Sequence, residues 1–276
     1  MKKVIFFVIP ILMTILIFAI SLLVMLSLQS LLSLPQYTDV RNIRFAFAMV
    51  ITASITVICI GLTYRFIHRG SIKDIGLHWN KKSSLLTLVS FLIIVFGFTF
   101  YSIYTISKGY ASIKDEIEYL PIIILIVLYI GVSVNEEFLF RGYLHRFYRE
   151  RNIVVAYFIS IPMFLLPHFL NRDFELSYIF ALLSASLLIT LLYDLTKSIW
   201  PSIIIHTVLN VSLSLLSTGD NSGSILSLES NLDIFSYTDI LRFGEIIINV
   251  IAIIAVSLIC TCMYIINKKN FNRDFN

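Results

Sequence analysis

Apolar residues run through this chain in long uncharged blocks separated by short polar ones. The first block covers 4–38 without a charged residue and follows Lys2 and Lys3. It is too long for the apolar core of a signal peptide and carries no small-residue cleavage site, so it predicts a retained transmembrane helix. Further blocks at 45–64, 85–106, 120–144, 153–170, 176–193, 199–216 and 243–266 mostly approach the ~20 residues needed to cross a bilayer. The pattern predicts an all-α, polytopic transmembrane helical bundle of about eight spans, of which the fifth and sixth are short. Pro121 and Pro201 fall where helices open, whereas Pro162 and Pro167 lie within the fifth block and predict a kink beside His168. The one long polar connection, 217–239, is rich in Ser, Asn and Gly and reads as an exposed, mobile loop.

Composition makes lipid, not water, the main solvent. Hydrophobic residues make up 58% of the chain and charged residues 14%, against about a quarter charged in soluble domains. The net charge of +4 does not imply nucleic acid, because the basic residues sit in short clusters between apolar blocks, as topology signals do. With the N-terminus inside, 15 of the 21 Lys and Arg residues fall on the cytoplasmic side, which predicts cytoplasmic N- and C-termini. No internal repeat divides the chain, and residues 1–276 read as a single integral membrane domain. Cys59, Cys260 and Cys262 each lie in an apolar block and read as packing residues.

Against this background a few polar residues stand out, because ionisable groups within a span are costly, roughly 2.5 to 3.5 kcal/mol for a central Asp or Arg on insertion scales. Glu136, Glu137 and Arg141 follow the apolar stretch 122–132 and are interleaved with Phe138, Leu139 and Phe140. A solvated helix end is the plain alternative. The next basic cluster, Arg146, Arg149 and Arg151, marks a more natural boundary and leaves Glu136 ~15 Å inside. Glu137 and Arg141 are four apart in the favourable order for an ion pair on one helix face. His168 ends the fifth block, and His206 and Asn210 share a face of the seventh.

Two carboxylates, two imidazoles, a guanidinium and an amide on three spans suit amide hydrolysis, which needs a base for water, a stabilised oxyanion and an acid for the leaving amine. Glu136 can serve as the base, His206 and Asn210 can serve the oxyanion, and His168 can hold the water. A divalent metal such as zinc, held by Glu136, His168 and His206, is a close variant, and metal-free chemistry stays open beside it.

These residues resemble the CPBP family, the CAAX prenyl protease and bacteriocin-processing (Abi) intramembrane peptidases. Its three motifs read here as Glu136-Glu137-x-x-x-Arg141, Phe164-x-x-x-His168 and His206-x-x-x-Asn210, in order over residues 120–216, the segment taken as the catalytic core. The stretch 72–78 is similar to a short cytoplasmic segment upstream in that family. The resemblance implies an intramembrane endopeptidase acting on a membrane-associated peptide or protein. Residue usage rich in Ile, Asn and Lys reads as bacterial, which favours peptide processing or bacteriocin self-immunity in a plasma membrane. A non-catalytic scaffold that retains the fold is the alternative; a transporter would call for broken-helix pairs or inverted repeats, and neither is visible.

Overall fold

A computed structural model describes residues 2–32, 43–109, 111–169, 176–215 and 225–228. Its helices are α1 (Lys2–Leu31), α2 (Ile43–Phe66), α3 (Lys81–Ser107), α4 (Tyr119–Glu137), α5 (Arg146–Arg149), α6 (Ile153–Leu165), α7 (Leu176–Thr196) and α8 (Ile199–Leu215). Between α4 and α5 the chain does not leave the helix but widens into a π-helical segment, Phe138–His145. Five helical stretches are long and apolar enough to cross a membrane: Phe7–Leu31, Ile43–Phe66, Lys81–Ser107, Tyr119–Arg149 and Tyr178–Thr196; Ile153–Phe169 and Ile199–Leu215 are shorter apolar helices. Seven of the eight expected blocks are thus helical. The eighth, 243–266, lies outside the described residues, as do Cys260 and Cys262.

The helical class holds, with one short strand pair beside the helices. Ala111–Ile113 (β1) and Leu226–Leu228 (β2) pair as an antiparallel ribbon in the register Ala111↔Leu228, and Lys114 N–H donates to the Ile225 carbonyl at 3.0 Å. Part of the polar connection read as an exposed loop is therefore tied down, because strand pairing satisfies backbone groups that composition alone leaves unassigned. The expected kink takes the form of a switch from α6 into a 3₁₀ turn, Leu166–Phe169. Pro167 has no N–H to continue the α-helical ladder there.

Layering follows from burial. Only 11% of the most apolar window of Lys81–Ser107 is buried, against 44% for Tyr119–Arg149 and 50% for Tyr178–Thr196. The α3 helix therefore faces outward with large apolar side chains such as Phe96 and Leu88 exposed, a surface that lipid must cover. Every residue of the π-helical segment is buried, walled in by α1, α2, α6 and α8.

The segment after α2 closes one end of this core. A Ser71/Asp74 capping box opens the 3₁₀ turn Ile72–Ile75, which ends on Gly76 at φ 93°. From there the backbone is stitched to the α7–α8 turn: Ile199 N–H donates to the Gly76 carbonyl at 3.0 Å, the Tyr193 hydroxyl to Ile75 at 3.0 Å and the Trp200 indole to Leu77 at 3.2 Å. A Cβ on Gly76 would lie 2.3 Å from the Lys197 carbonyl oxygen, so only glycine allows both the left-handed backbone and the close approach. This strap fixes where α8, and with it His206, begins.

Candidate active site

Glu137 is fully buried, and one of its oxygens does two jobs. Oε1 accepts from Arg141 Nη1 at 2.9 Å and from His206 Nδ1 at 2.7 Å. Arg141, also buried, is met on its other donors by Ser186 Oγ at 2.8 Å, by the Ser186 carbonyl at 3.3 Å and by Thr190 Oγ1 at 3.3 Å. Its guanidinium carbon lies 4.3 Å from the centre of the Phe164 ring. A buried guanidinium is tolerable only when its charge and its forked donors are matched, and α4, α6 and α7 each contribute to that match. Ser186 and Thr190 were not singled out from the sequence, and Phe164 entered only through the resemblance. Hydroxyls facing a buried cation carry no signal of their own in an apolar helix.

An ionised carboxylate can only accept, so the short contact to Glu137 fixes the Nδ1–H of His206 and turns Nε2 the other way. There it meets Glu136, with His206 Nε2 3.7 Å from Oε2. Adjacent side chains point ~100° apart on a helix, yet both carboxylates reach the same imidazole, because His206 lies between them. Arg141 and Glu137 pair as the spacing indicates. Glu136 keeps 21% of its side chain exposed, yet its Oε2 is buried and has no hydrogen-bond partner.

His168 is placed by the 3₁₀ turn with Nδ1 3.0 Å from the Phe164 carbonyl oxygen, and its ring lies 4.9 Å from the Phe164 ring. The His206 ring lies 6.1 Å from the same phenyl. Both imidazoles thus pack on one aromatic side chain, although 38 residues separate them along the chain. Asn210 follows His206 by one turn of α8 and is half-buried. Among the described residues no three His, Cys, Asp or Glu side chains are grouped to hold a metal ion.

A second polar cluster lies two turns further along the same helix. His145 Nδ1 is 3.0 Å from Ser160 Oγ and its Nε2 3.3 Å from Asp194 Oδ2, while Asp194 Oδ1 accepts from Arg149 Nε and lies 4.0 Å from Lys197 Nζ. All three members of the Ser160–His145–Asp194 chain are buried. Asp194 was available to sequence reasoning as the one acidic residue of α7. Beyond the spans, His68 Nε2 lies 3.0 Å from the Tyr143 hydroxyl. Burial, and then Arg151, push His68 below the ordinary histidine range.

No curated protein and no solved structure matches the chain. Residues 118–212, which contain all seven residues of the three motifs, match the family model described as type II CAAX prenyl endopeptidase Rce1-like, and over this segment the chain is similar to that protease family.

Proposed function

We propose that the protein is an intramembrane endopeptidase of the CAAX-protease type, in which Glu136 activates water to hydrolyse a peptide bond of a membrane-associated peptide or protein. One observation carries the reading: Glu137 is anchored through Oε1 to both Arg141 and His206, whereas Glu136 makes no such bond and its buried, unpartnered Oε2 lies 3.7 Å from His206 Nε2. Two acceptors face each other there, and a water that donates to both resolves the conflict.

In this mechanism Glu136 takes a proton from that water as its oxygen attacks the carbonyl carbon, and returns the proton to the leaving nitrogen as the C–N bond breaks. His206, held by Glu137, flanks the attacked carbon. Asn210 donates to the oxyanion, and His168 borders the water from the 3₁₀ turn. Glu137 and Arg141 keep α4, α7 and α8 in register and touch no substrate.

Purified protein in detergent, offered a peptide library with and without chelator, tests the reading. Cleavage that Glu136→Gln abolishes and chelator leaves intact is the expected result. Absence of cleavage by the wild type would favour the scaffold, and loss to chelator with recovery in zinc would call for a rearranged donor set. For physiology we favour peptide processing or bacteriocin self-immunity in a bacterial plasma membrane, resting on composition and the family. The Lys and Arg distribution supports an N-in, C-in topology. In a cysteine-free background, labelling from outside cells is expected at Glu116→Cys and not at Lys73→Cys, two exposed positions that this topology puts on opposite sides.

A further inference from the structure

Among the described residues, the buried side-chain polar atoms without a hydrogen-bond partner are Ser133 Oγ, Glu136 Oε2 and Glu137 Oε2. They occupy positions i, i+3 and i+4 of α4 and so line one face of one turn. Ser133 is fully buried, and its isolation runs against the habit of this protein. Thr14, Thr52, Thr87 and Thr190 each return their hydroxyl to the carbonyl four residues back, the usual recourse of a hydroxyl in an apolar helix.

The neighbouring helix gives this open hydroxyl a setting. The Tyr129 hydroxyl lies 2.6 Å from Ser214 Oγ, and Glu137 Oε1 lies 2.7 Å from His206 Nδ1. Both helices advance eight residues between these contacts, α4 from 129 to 137 and α8 from 214 back to 206. They therefore run antiparallel in step, and the midpoints, Ser133 and Asn210, come level in the seam. Ser133 spends no hydrogen bond on Asn210, since its hydroxyl has no partner at all.

We infer that Ser133 is a further catalytic residue of the proposed peptidase, donating its hydroxyl hydrogen, together with Asn210, to the oxygen of the carbonyl under attack as charge develops on it. Of the three open atoms, the two carboxylate oxygens can only accept when ionised, and Ser133 alone can donate. One helical turn, about 5–6 Å between Cβ atoms, separates it from Glu136. That interval accommodates a carbonyl group whose carbon faces the water on Glu136 and whose oxygen faces Ser133. A donor held without a partner in the resting protein and engaged only as charge develops is the arrangement that favours turnover over ground-state binding.

The inference rests on the peptidase reading, and Ser133→Ala tests it with kinetics and thermal unfolding measured together. Loss of an oxyanion donor is expected to lower kcat by about 10²-fold or more with KM within about twofold of wild type. The melting temperature should hold or rise, because the variant removes a buried hydroxyl that has no partner. An unchanged kcat, or a change in KM alone, overturns the assignment while wild-type cleavage keeps the peptidase reading intact. A fall in kcat that comes with a lower melting temperature overturns it as well, since Ser133 would then be a structural group. A wild type that cleaves nothing fails the peptidase reading itself, and the assignment with it.

Discussion

The turn of helix around Glu137 and the turn around His145 lie on one continuous helix and gather the same materials from it and its neighbours: a histidine, a carboxylate and an arginine. Around His145 both ring nitrogens are engaged, by Ser160 and Asp194, and both Asp194 oxygens are matched, by His145 and Arg149. Around Glu137 the ion pair is also made, yet Glu136 Oε2, Glu137 Oε2 and Ser133 Oγ are left open. A satisfied buried network holds helices together. An unsatisfied one lowers stability and is worth keeping only where something else is to be bound. The difference between the two turns therefore lies in unspent hydrogen-bonding capacity and not in residue type.

The sharpest way to break that comparison is Glu136→Gln. It retains the shape and removes the base, so turnover should fall by ~10²–10⁴-fold with the melting temperature near wild type; retention of more than about a tenth of wild-type turnover would take the base away from Glu136. Next come the carboxylates that neutralise arginines. Asp194→Ala strands Arg149 and His145 and is expected to cost ~3–5 kcal/mol of stability while sparing turnover per folded molecule. Glu137→Ala should cost a similar amount and lower turnover too, because it also frees His206. Equal turnover per folded molecule in these two variants would erase the distinction between the clusters.

A smaller effect is expected at the strap. Gly76→Ala forces a side chain into a left-handed position against the Lys197 carbonyl, a strain of about 1–3 kcal/mol. It should destabilise the protein without altering the pH profile of turnover. The smallest effect concerns His68, which faces Tyr143, Tyr64 and Phe147 and feels Arg151. Because its folded pKa is depressed, the unfolded chain takes up the proton first as pH drops below about 6.5. Wild-type stability should therefore decline on that side, and His68→Gln should flatten the decline in thermal melts between about pH 6.5 and 5.

Much of the site was legible because lipid makes polar residues conspicuous. Glu136, Glu137, Arg141, His168, His206 and Asn210 all stand out against apolar runs, and the four-residue spacing of Glu137 and Arg141 leads directly to their contact. Asp194 was equally visible but lay at the edge of its apolar block, where a charge reads as a helix end. Ser133, Ser186 and Thr190 were invisible, since a hydroxyl is common in transmembrane helices and only its partner, or lack of one, gives it meaning.

The sequence by itself determined the solvent, the helical class and the identity of the polar set, because these follow from composition and local spacing along one chain. Tertiary structure alone decided that His206 stands between the two carboxylates and that Ser186, Thr190 and Phe164 enclose Arg141. It also decided that residues 226–228 pair with 111–113 and that α4 and α8 run in step. Each of these is a contact between segments far apart in the chain. It depends on how apolar surfaces pack in three dimensions, and no periodicity along one helix records which face of another helix it will meet.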